Sequence, residues 1–303
     1  MIAFQFPGQA SQYVGMAQDL FEASALARDY YARANEMLGF DLAEVSFNGP
    51  EERLKQTAIT QPAIFVHSVV ANELLRKRGV VPHMAAGHSL GEYSALVAAG
   101  ALSFEDGLRL VKRRGELMQE AGTISPGTMA AIIGLEADVV EELCGAASEA
   151  GVVQAANYNC PGQTVISGAV PAVQKAMELA RARGAKRVVE LVVSGAFHSP
   201  LMDHARQHMG EVLEAAPIRD AAVPVYANVT AHPVQKASEI RRLLLEQLSR
   251  PVLWHKAVEN MIADGAKIFY EVGPGSVLTG LLKRINREVK GVTAGTAEEI
   301  AQI

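Results

Sequence analysis

The chain has 303 residues, of which 49% are apolar and 20% are charged, so it is long enough for one large packed domain and a smaller second one. Its 28 Lys and Arg residues against 33 Asp and Glu residues give a net charge of −5, which argues against a broad nucleic-acid-binding surface. No apolar stretch approaches the ~20 residues that cross a bilayer, and the N-terminus lacks the basic segment of a targeting signal.

Strand-like and helix-like segments alternate along the chain, and this alternation predicts an α/β fold with a parallel sheet. Pro62 is expected in the first turn of a long apolar helix, where its missing N–H costs little. Outside the middle of the chain, the predicted elements are a strand over Ile2–Phe6, a helix over Gln61–Lys77, a strand over His83–Gly87, helices over Leu90–Ala99 and Glu105–Ala121, and strands over Val223–Asn228 and Lys267–Val272.

The middle of the chain has a different order of elements, β-α-β-β-α-β, which is the ferredoxin-like pattern. We therefore expect residues 122–194 to form a ferredoxin-like small domain inserted into a discontinuous large α/β domain of residues 1–121 and 195–303. The predicted elements are strands over Met129–Ile133, Val152–Asn157, Thr164–Ser167 and Arg187–Val193, with helices over Asp138–Glu149 and Val173–Arg183. A cleft between the two domains is the expected ligand site.

The segment Gly87-His88-Ser89-Leu90-Gly91 matches G-x-S-x-G and lies between a predicted strand and a predicted helix. A sharp strand-to-helix turn exposes the serine hydroxyl, and the helix N-terminus supplies unpaired N–H groups that stabilise a developing oxyanion. The pattern therefore predicts that Ser89 is a nucleophile, and that His88 lines the pocket.

A nucleophilic serine needs a base, and His198 is the best placed of the eight histidines. It lies in the segment Gly195-Ala196-Phe197-His198 that follows the small domain, which returns it to the mouth of the cleft. No acidic residue is obviously placed to orient it, so the site is expected to be a Ser-His dyad with a main-chain carbonyl as the third group.

Arg114 is predicted to face inward from its helix. The apolar stripe of Glu105–Ala121 contains Leu110, Val111, Leu117 and Met118, and at ~100° per residue Arg114 projects into the middle of that stripe. A buried guanidinium needs a partner, which is either an internal Asp or Glu or the carboxylate of a substrate.

Several separated motifs make the chain resemble malonyl-CoA:acyl carrier protein transacylases and the related acyltransferase domains of polyketide synthases. The resemblance covers nearly the whole chain. The motifs are Phe6-Pro7-Gly8-Gln9-Ala10-Ser11-Gln12, Gly87-His88-Ser89-Leu90-Gly91-Glu92-Tyr93, Arg113-Arg114-Gly115-Glu116-Leu117-Met118-Gln119, Asn157-Tyr158-Asn159-Cys160-Pro161-Gly162-Gln163, Gly195-Ala196-Phe197-His198, Gln247-Leu248-Ser249-Arg250-Pro251-Val252 and Glu271-Val272-Gly273-Pro274-Gly275.

This resemblance implies an α/β-hydrolase-like core and a malonyl-serine intermediate. The implied roles are Ser89 as the nucleophile, His198 as the general base and acid, the N–H groups of Gln9 and Leu90 as the oxyanion hole, Arg114 as the ligand of the malonyl carboxylate, the backbone carbonyl near Gln247 as the group that orients His198, and Asn159 as part of the small-domain wall. An aromatic residue before the catalytic His, here Phe197, implies selection of malonyl over methylmalonyl, because a bulky ring leaves little room for an α-methyl group.

The expected reaction moves a malonyl group from malonyl-CoA to the phosphopantetheine thiol of acyl carrier protein, with fatty-acid synthesis as the preferred pathway. Alternatives are a trans-acting acyltransferase of a polyketide synthase, a serine thioesterase or esterase, and a catalytically inactive module that binds carrier protein. No cofactor and no metal are expected, since clustered His, Cys, Asp or Glu spacing is absent. A cytoplasmic location is expected, because Cys144 and Cys160 are too few for a disulfide framework. The resemblance implies a monomer.

Overall fold

The structure is a computed structural model that describes residues 1–303. Two β-sheets contain all the strands, and helices cover both sheets. In chain order the strands are β1 (Ile2–Phe6), β2 (Met84–Gly87), β3 (Gly127–Ile133), β4 (Val153–Cys160), β5 (Gln163–Ala169), β6 (Arg187–Glu190), β7 (Val225–Tyr226), β8 (Pro233–Val234), β9 (Ile268–Glu271) and β10 (Lys290–Thr293).

The α-helices range from four to 21 residues. In chain order they are α1 (Gln18–Ala23), α2 (Ala25–Leu38), α3 (Leu42–Asn48), α4 (Glu51–Leu54), α5 (Thr57–Lys77), α6 (Gly91–Ala98), α7 (Phe104–Ile124), α8 (Ala137–Ala147), α9 (Val170–Ala182), α10 (Asp203–Ala215), α11 (Ala237–Gln247), α12 (Trp254–Ala263), α13 (Val277–Ile285) and α14 (Ala297–Ala301). None of them is both long and apolar enough to cross a membrane.

The larger sheet has six strands in the order β10-β9-β1-β2-β7-β8. All neighbouring strands are parallel except β7 and β8, which pair antiparallel at one edge. The central strands are short and almost wholly buried, because helices cover both faces of a parallel sheet. This arrangement confirms the predicted α/β class.

The smaller sheet is antiparallel and has the strand order β4-β5-β3-β6. Together with α8 and α9 it follows the predicted β-α-β-β-α-β order, and its strand arrangement is ferredoxin-like. Side chains alternate between its two faces, as the pleat of a strand requires. Ala130, Ile132 and Ile166 pack against the two helices, whereas Met129 and Val165 face the large cavity described below.

One edge of the parallel sheet gathers the loops that carry polar side chains. Gln9 follows β1, Ser89 follows β2 and Asn228 follows β7, so all three lie beyond the carboxyl ends of neighbouring parallel strands. Ligands of open α/β sheets bind at this edge. The smaller sheet is joined to the same region by main-chain hydrogen bonds between β4 and Val252.

The N-terminus of α5 differs from the prediction. The helix begins at Thr57 rather than Gln61, so Pro62 lies inside it instead of in its first turn. Proline remains tolerable there because only one intrahelical hydrogen bond, that of its missing N–H, is lost near the start of a 21-residue helix whose apolar side chains are buried.

Candidate active site

Ser89 lies on a strained turn between β2 and α6. Its φ of +50° is in the left-handed region, which non-glycine residues rarely occupy. A Cβ at Gly87 would lie 1.9 Å from the carbonyl carbon of Gly91, and a Cβ at Gly91 would lie 2.1 Å from the carbonyl oxygen of Phe6. Both glycines are therefore required by close backbone approach, and the turn that they permit presents the serine hydroxyl to the cavity.

The hydroxyl of Ser89 is hydrogen bonded to His198, with 2.8 Å between Oγ and Nε2. The other ring nitrogen, Nδ1, lies 2.7 Å from the main-chain oxygen of Gln247. A carbonyl oxygen only accepts, so Nδ1 carries the proton and Nε2 is left to accept the proton of Ser89. The structure thus brings together the dyad and the orienting carbonyl that the sequence analysis expected.

The imidazole of His198 is held in its neutral form. It is 2% exposed, and burial together with the nearby Arg114 guanidinium lowers its pKa from 6.5 to about 3. At neutral pH the ring is therefore neutral, and its free Nε2 is able to take a proton from the serine.

Arg114 is buried and has no carboxylate partner. Its neighbours on α7, Arg109 and Arg113, are paired with Asp106 and Glu116 at the surface. The Arg114 guanidinium instead donates to two amide oxygens, that of Gln61 at 2.9 Å and that of Gln247 at 2.9 Å. The sequence left two possible partners for Arg114, an internal Asp or Glu and the carboxylate of a substrate. The structure shows no internal acid hydrogen bonded to it.

The guanidinium also contacts the nucleophile. Nη2 of Arg114 lies 3.0 Å from Oγ of Ser89, and the guanidinium carbon lies 5.6 Å from the centre of the Tyr93 ring. Burial lowers the pKa of Arg114, but an arginine side chain stays protonated in proteins. A positive charge with neutral partners beside a nucleophile is suited to a short anionic acyl group.

A cavity of about 360 Å³ opens in front of these groups. Its polar lining includes Gln9, Gln61, His88, Ser89, Arg114 and His198, and its apolar lining includes Met118, Met129, Val165, Leu191, Val193 and Phe197. The apolar wall comes partly from the smaller sheet and the segment that follows it. The cavity therefore lies between the two sheets, where the sequence analysis expected a cleft.

Two backbone N–H groups at the cavity are free to bind an anion. Gln9 and Leu90 both line the cavity, and neither amide donates a hydrogen bond within the chain. The amide of Ser89, in contrast, donates to Oδ1 of Asn228 at 2.7 Å. The two free donors are those that the resemblance assigns to an oxyanion hole.

His88 lines the cavity, but Asn159 lies behind it. Nε2 of His88 donates to Oδ1 of Asn159 at 2.9 Å, and the His88 ring also faces Trp254. Asn157, not Asn159, contributes to the cavity wall. The expected wall position of Asn159 stays a prediction; around it, β4 has register irregularities on either side of Asn157 and Tyr158.

Gln247 contacts Arg114 and His198 without lining the cavity itself. Its side chain and main chain serve different partners, and only the main-chain contact was expected from the sequence. Gln61, whose amide oxygen shares Arg114, was not expected at all. A neutral amide side chain carries no charge and belongs to no spacing motif that would mark it in a sequence. These contacts join residues 53 and 133 positions apart, so local patterns do not reveal them.

Two further polar residues behind Ser89 were also missed. Asn228 accepts from the amide of Ser89 and donates to the carbonyl of Gly87 at 2.7 Å. Glu92 accepts from the main chain of Asn228 at 3.1 Å and from the side chain of Gln247 at 2.8 Å. Burial raises the pKa of Glu92 from 4.5 to about 7. In the sequence, Glu92 could have been recognised as a single acidic residue in a helix of otherwise small or apolar residues.

Comparisons with known proteins agree with this geometry. Residues 3–300 match the acyl transferase domain family. Over 300 residues the chain is 45% identical to the malonyl CoA-acyl carrier protein transacylase of Bacillus subtilis, covering 99% of this chain and 95% of that protein. The solved transacylase structure from Coxiella burnetii superposes with a TM-score of 0.97 at 40% identity, covering 99% of this chain and 96% of that one.

A second solved structure contains a malonyl-transacylase in complex with its type II polyketide synthase acyl-carrier protein. It superposes with a TM-score of 0.96 at 40% identity, covering 99% of this chain and 98% of that chain. Sequence, fold and the arrangement around Ser89 therefore lead to the same assignment: the chain belongs to the acyl transferase domain family.

Proposed function

We propose that the chain transfers a malonyl group from malonyl-CoA to the phosphopantetheine thiol of acyl carrier protein through a malonyl ester on Ser89. One observation carries the proposal: Oγ of Ser89 is hydrogen bonded both to the neutral His198 and to Arg114, a cation without a carboxylate partner. The names of the relatives supply the substrate and the carrier protein.

In the first half-reaction, Ser89 attacks the thioester carbonyl of malonyl-CoA while Nε2 of His198 takes the hydroxyl proton. The tetrahedral oxyanion is bound by the N–H groups of Gln9 and Leu90. When it collapses, the C–S bond breaks and His198 returns its proton to the sulfur, so that coenzyme A leaves as a thiol. The main-chain oxygen of Gln247 stabilises the imidazolium between these steps.

The second half-reaction uses the same groups in reverse. The phosphopantetheine thiol enters the cavity vacated by coenzyme A, and His198 takes its proton as the sulfur attacks the malonyl ester. The C–O bond to Ser89 breaks and His198 protonates the serine oxygen. No cofactor is required, because both half-reactions are acyl transfers whose acid, base and oxyanion donors are side chains and amides of the chain.

Arg114 selects the acyl group by the position of its carboxylate. Only 3.0 Å separates Nη2 of Arg114 from Oγ of Ser89, so the carboxylate that it binds has to lie very close to the attacked carbonyl. Malonyl has a single methylene between the two groups and meets this requirement. On binding, the carboxylate takes over the Nη2 N–H that donates to Ser89 in the free protein, together with a second guanidinium N–H, while the amide oxygens of Gln61 and Gln247 continue to hold the guanidinium.

Phe197 and His88 complete the substrate-binding side of the site. The Phe197 ring is 5% exposed and lines the cavity next to His198, where it restricts the space around the α-carbon of the acyl group. His88 lines the same cavity, and Asn159 fixes its ring from behind. The pair acts as one wall of the site, with Asn159 in an indirect role.

Fatty-acid synthesis is the pathway that we propose for the reaction. The similarity to a malonyl-transacylase bound to a polyketide carrier protein supports the second candidate, supply of malonyl groups to a polyketide synthase. A thioesterase is disfavoured, because a site for water activation has no need of a carboxylate-binding cation beside the nucleophile.

The chain is proposed to divide at the boundaries expected from its sequence, with residues 122–194 as the small domain and 1–121 and 195–303 as the large one. The antiparallel sheet and its two helices lie within the first of these ranges, which supports the division. Unpaired Cys144 and Cys160 support a cytoplasmic location, and a monomer is the proposed state.

The proposal is tested by supplying labelled malonyl-CoA with several purified holo carrier proteins and measuring both malonyl-carrier protein and free malonate. Rapid transfer with little free malonate is the expected result, and the preferred carrier protein distinguishes the two pathways. Release of free malonate at the same rate with and without carrier protein would identify a thioesterase instead.

A further inference from the structure

Glu92 is buried directly behind the proposed nucleophile and touches no part of the cavity. It is 3% exposed and lies three residues after Ser89, in the first turn of α6. The chemistry described above makes no use of its carboxyl group. A buried carboxyl is costly unless it is hydrogen bonded, and Glu92 meets this requirement through two contacts.

The first contact is with the side-chain amide of Gln247. Nε2 of Gln247 faces three acceptors: Oε2 of Glu92 at 2.8 Å, the carbonyl of Ser89 at 3.0 Å and Oδ1 of Asn228 at 3.3 Å. Only an N–H₂ group fits among three acceptors. The oxygen of the same amide is thereby turned toward Arg114, to which it lies at 2.9 Å.

The reversed amide would be strongly disfavoured. Its oxygen would face the Glu92 carboxylate and two further oxygens, while its N–H₂ group would face the Arg114 guanidinium. Every one of these contacts would be repulsive. Glu92 supplies the shortest of the three acceptor contacts, so it contributes most to the orientation of the amide.

The second contact is with the main chain of Asn228, whose N–H donates to the same Oε2 atom at 3.1 Å. The Asn228 side chain accepts from the amide of Ser89 and donates to the carbonyl of Gly87. A single carboxylate oxygen thus anchors two residues: Asn228, which is hydrogen bonded to the backbone of Ser89 and Gly87, and Gln247, which is hydrogen bonded to Arg114.

We infer that Glu92 is a positioning residue that orients the Gln247 amide and, through it, the guanidinium that binds the malonyl carboxylate. This inference rests on the proposed function. It predicts that selection of a carboxylate-bearing acyl group needs an acceptor oxygen on the side chain of residue 92. It also predicts that the negative charge of the side chain is not needed.

Two substitutions separate these features. Glu92→Gln keeps an oxygen that can accept from both donors, whereas Glu92→Leu keeps a similar volume and removes the acceptor. Glu271→Leu is the matched control, because Glu271 is also buried and accepts two N–H groups, from Leu278 and Thr279, away from the site. Each protein is incubated with malonyl-CoA and with acetyl-CoA, and kcat/KM for acylation is measured along with thermal unfolding.

For Glu92→Leu, the ratio of malonyl to acetyl kcat/KM should fall by about 10- to 100-fold, which corresponds to one lost hydrogen bond to a charged group. Glu92→Gln should keep the ratio within about threefold of that of the unsubstituted protein. A change of about threefold is clearly smaller than the change expected for the loss of one such hydrogen bond. The control should leave the ratio unchanged even where its stability falls. A purely structural role of Glu92 would lower stability and both rates without moving the ratio.

An unchanged ratio in folded Glu92→Leu, or an equal fall in Glu92→Gln, would overturn the inference. If Glu92→Leu does not fold, Gln247→Met removes the oriented amide itself, and an unchanged ratio in that variant would overturn the inference independently. Absence of any malonyl-enzyme in the unsubstituted protein would refute the proposed function instead, so the two failures are distinguishable.

Discussion

Arg114→Ala is the substitution that most sharply separates carboxylate recognition from the chemistry of the dyad. The malonyl carboxylate is expected to receive two N–H groups from Arg114, each contributing about 1.5 kcal/mol as a hydrogen bond between charged groups. Their loss amounts to about 3 kcal/mol, or about 100- to 200-fold in kcat/KM for malonyl-CoA.

Acetyl-CoA provides the internal reference, because acetyl has no carboxylate for Arg114 to bind. Removing the guanidinium also leaves the amide oxygens of Gln61 and Gln247 without a donor, and this effect is shared by both substrates. The ratio of malonyl to acetyl kcat/KM therefore isolates the carboxylate contact. The assay is single-turnover acylation of the protein, followed by intact mass spectrometry with each acyl-CoA.

Arg113→Ala is the matched control, since Arg113 is the preceding residue on α7 but pairs with Glu116 at the surface. It should leave both rates unchanged within about twofold, as expected for an exposed ion pair. Equal losses for malonyl and acetyl in Arg114→Ala would refute the reasoning, because the guanidinium would then act on the dyad or the fold and not on the carboxylate.

Three further predictions concern the base, the acyl pocket and the turn. The His198 imidazole should titrate near pH 3 when its signals are followed by NMR. Because folding lowers its pKa from 6.5, its contribution to the free energy of unfolding is complete above pH 6.5 and is lost as the pH falls toward 3. A titration midpoint near 6.5 would contradict the buried neutral base. Phe197→Ser should raise the ratio of methylmalonyl to malonyl transfer by about 10-fold or more, the discrimination expected for one methyl group, and an unchanged ratio would show that the ring does not limit the pocket. Gly91→Ala should lower the free energy of unfolding by about 1–3 kcal/mol in denaturant titrations, because its Cβ would meet the Phe6 carbonyl, and native stability would contradict the close approach.

The sequence predicted those parts of the site that depend on local pattern. β1 was predicted at its observed bounds, and the strand-to-helix turn at Ser89 followed from one short motif. Helical periodicity alone predicted that Arg114 faces the interior and that Arg113 faces the solvent. In the structure, Arg114 is 1% exposed and Arg113 forms a surface ion pair. Periods of two and 3.6 residues are properties of the backbone, so they can be read without knowledge of the tertiary structure.

The parts that were missed depend on contacts between distant segments. The start of α5 differs from the prediction because Pro62 is typical of a first helical turn, whereas Gln56 has no side-chain cap that marks the actual start at Thr57. Asn157 lines the cavity but is not among the predicted site residues, because a bulge changes the alternation of side chains without a clear mark in the sequence. Glu92, Asn228 and Gln61 act through hydrogen bonds to segments far away in the chain.

The central claim is that the acyl group is carried on the oxygen of Ser89. Intact mass spectrometry of the protein after brief incubation with malonyl-CoA, followed by peptide mapping, measures this directly. The account predicts one malonyl group per chain on the peptide that contains Ser89, its loss when holo carrier protein is added, and no adduct in Ser89→Ala. A malonyl adduct that persists in Ser89→Ala, or that maps to another residue and still transfers, would contradict it.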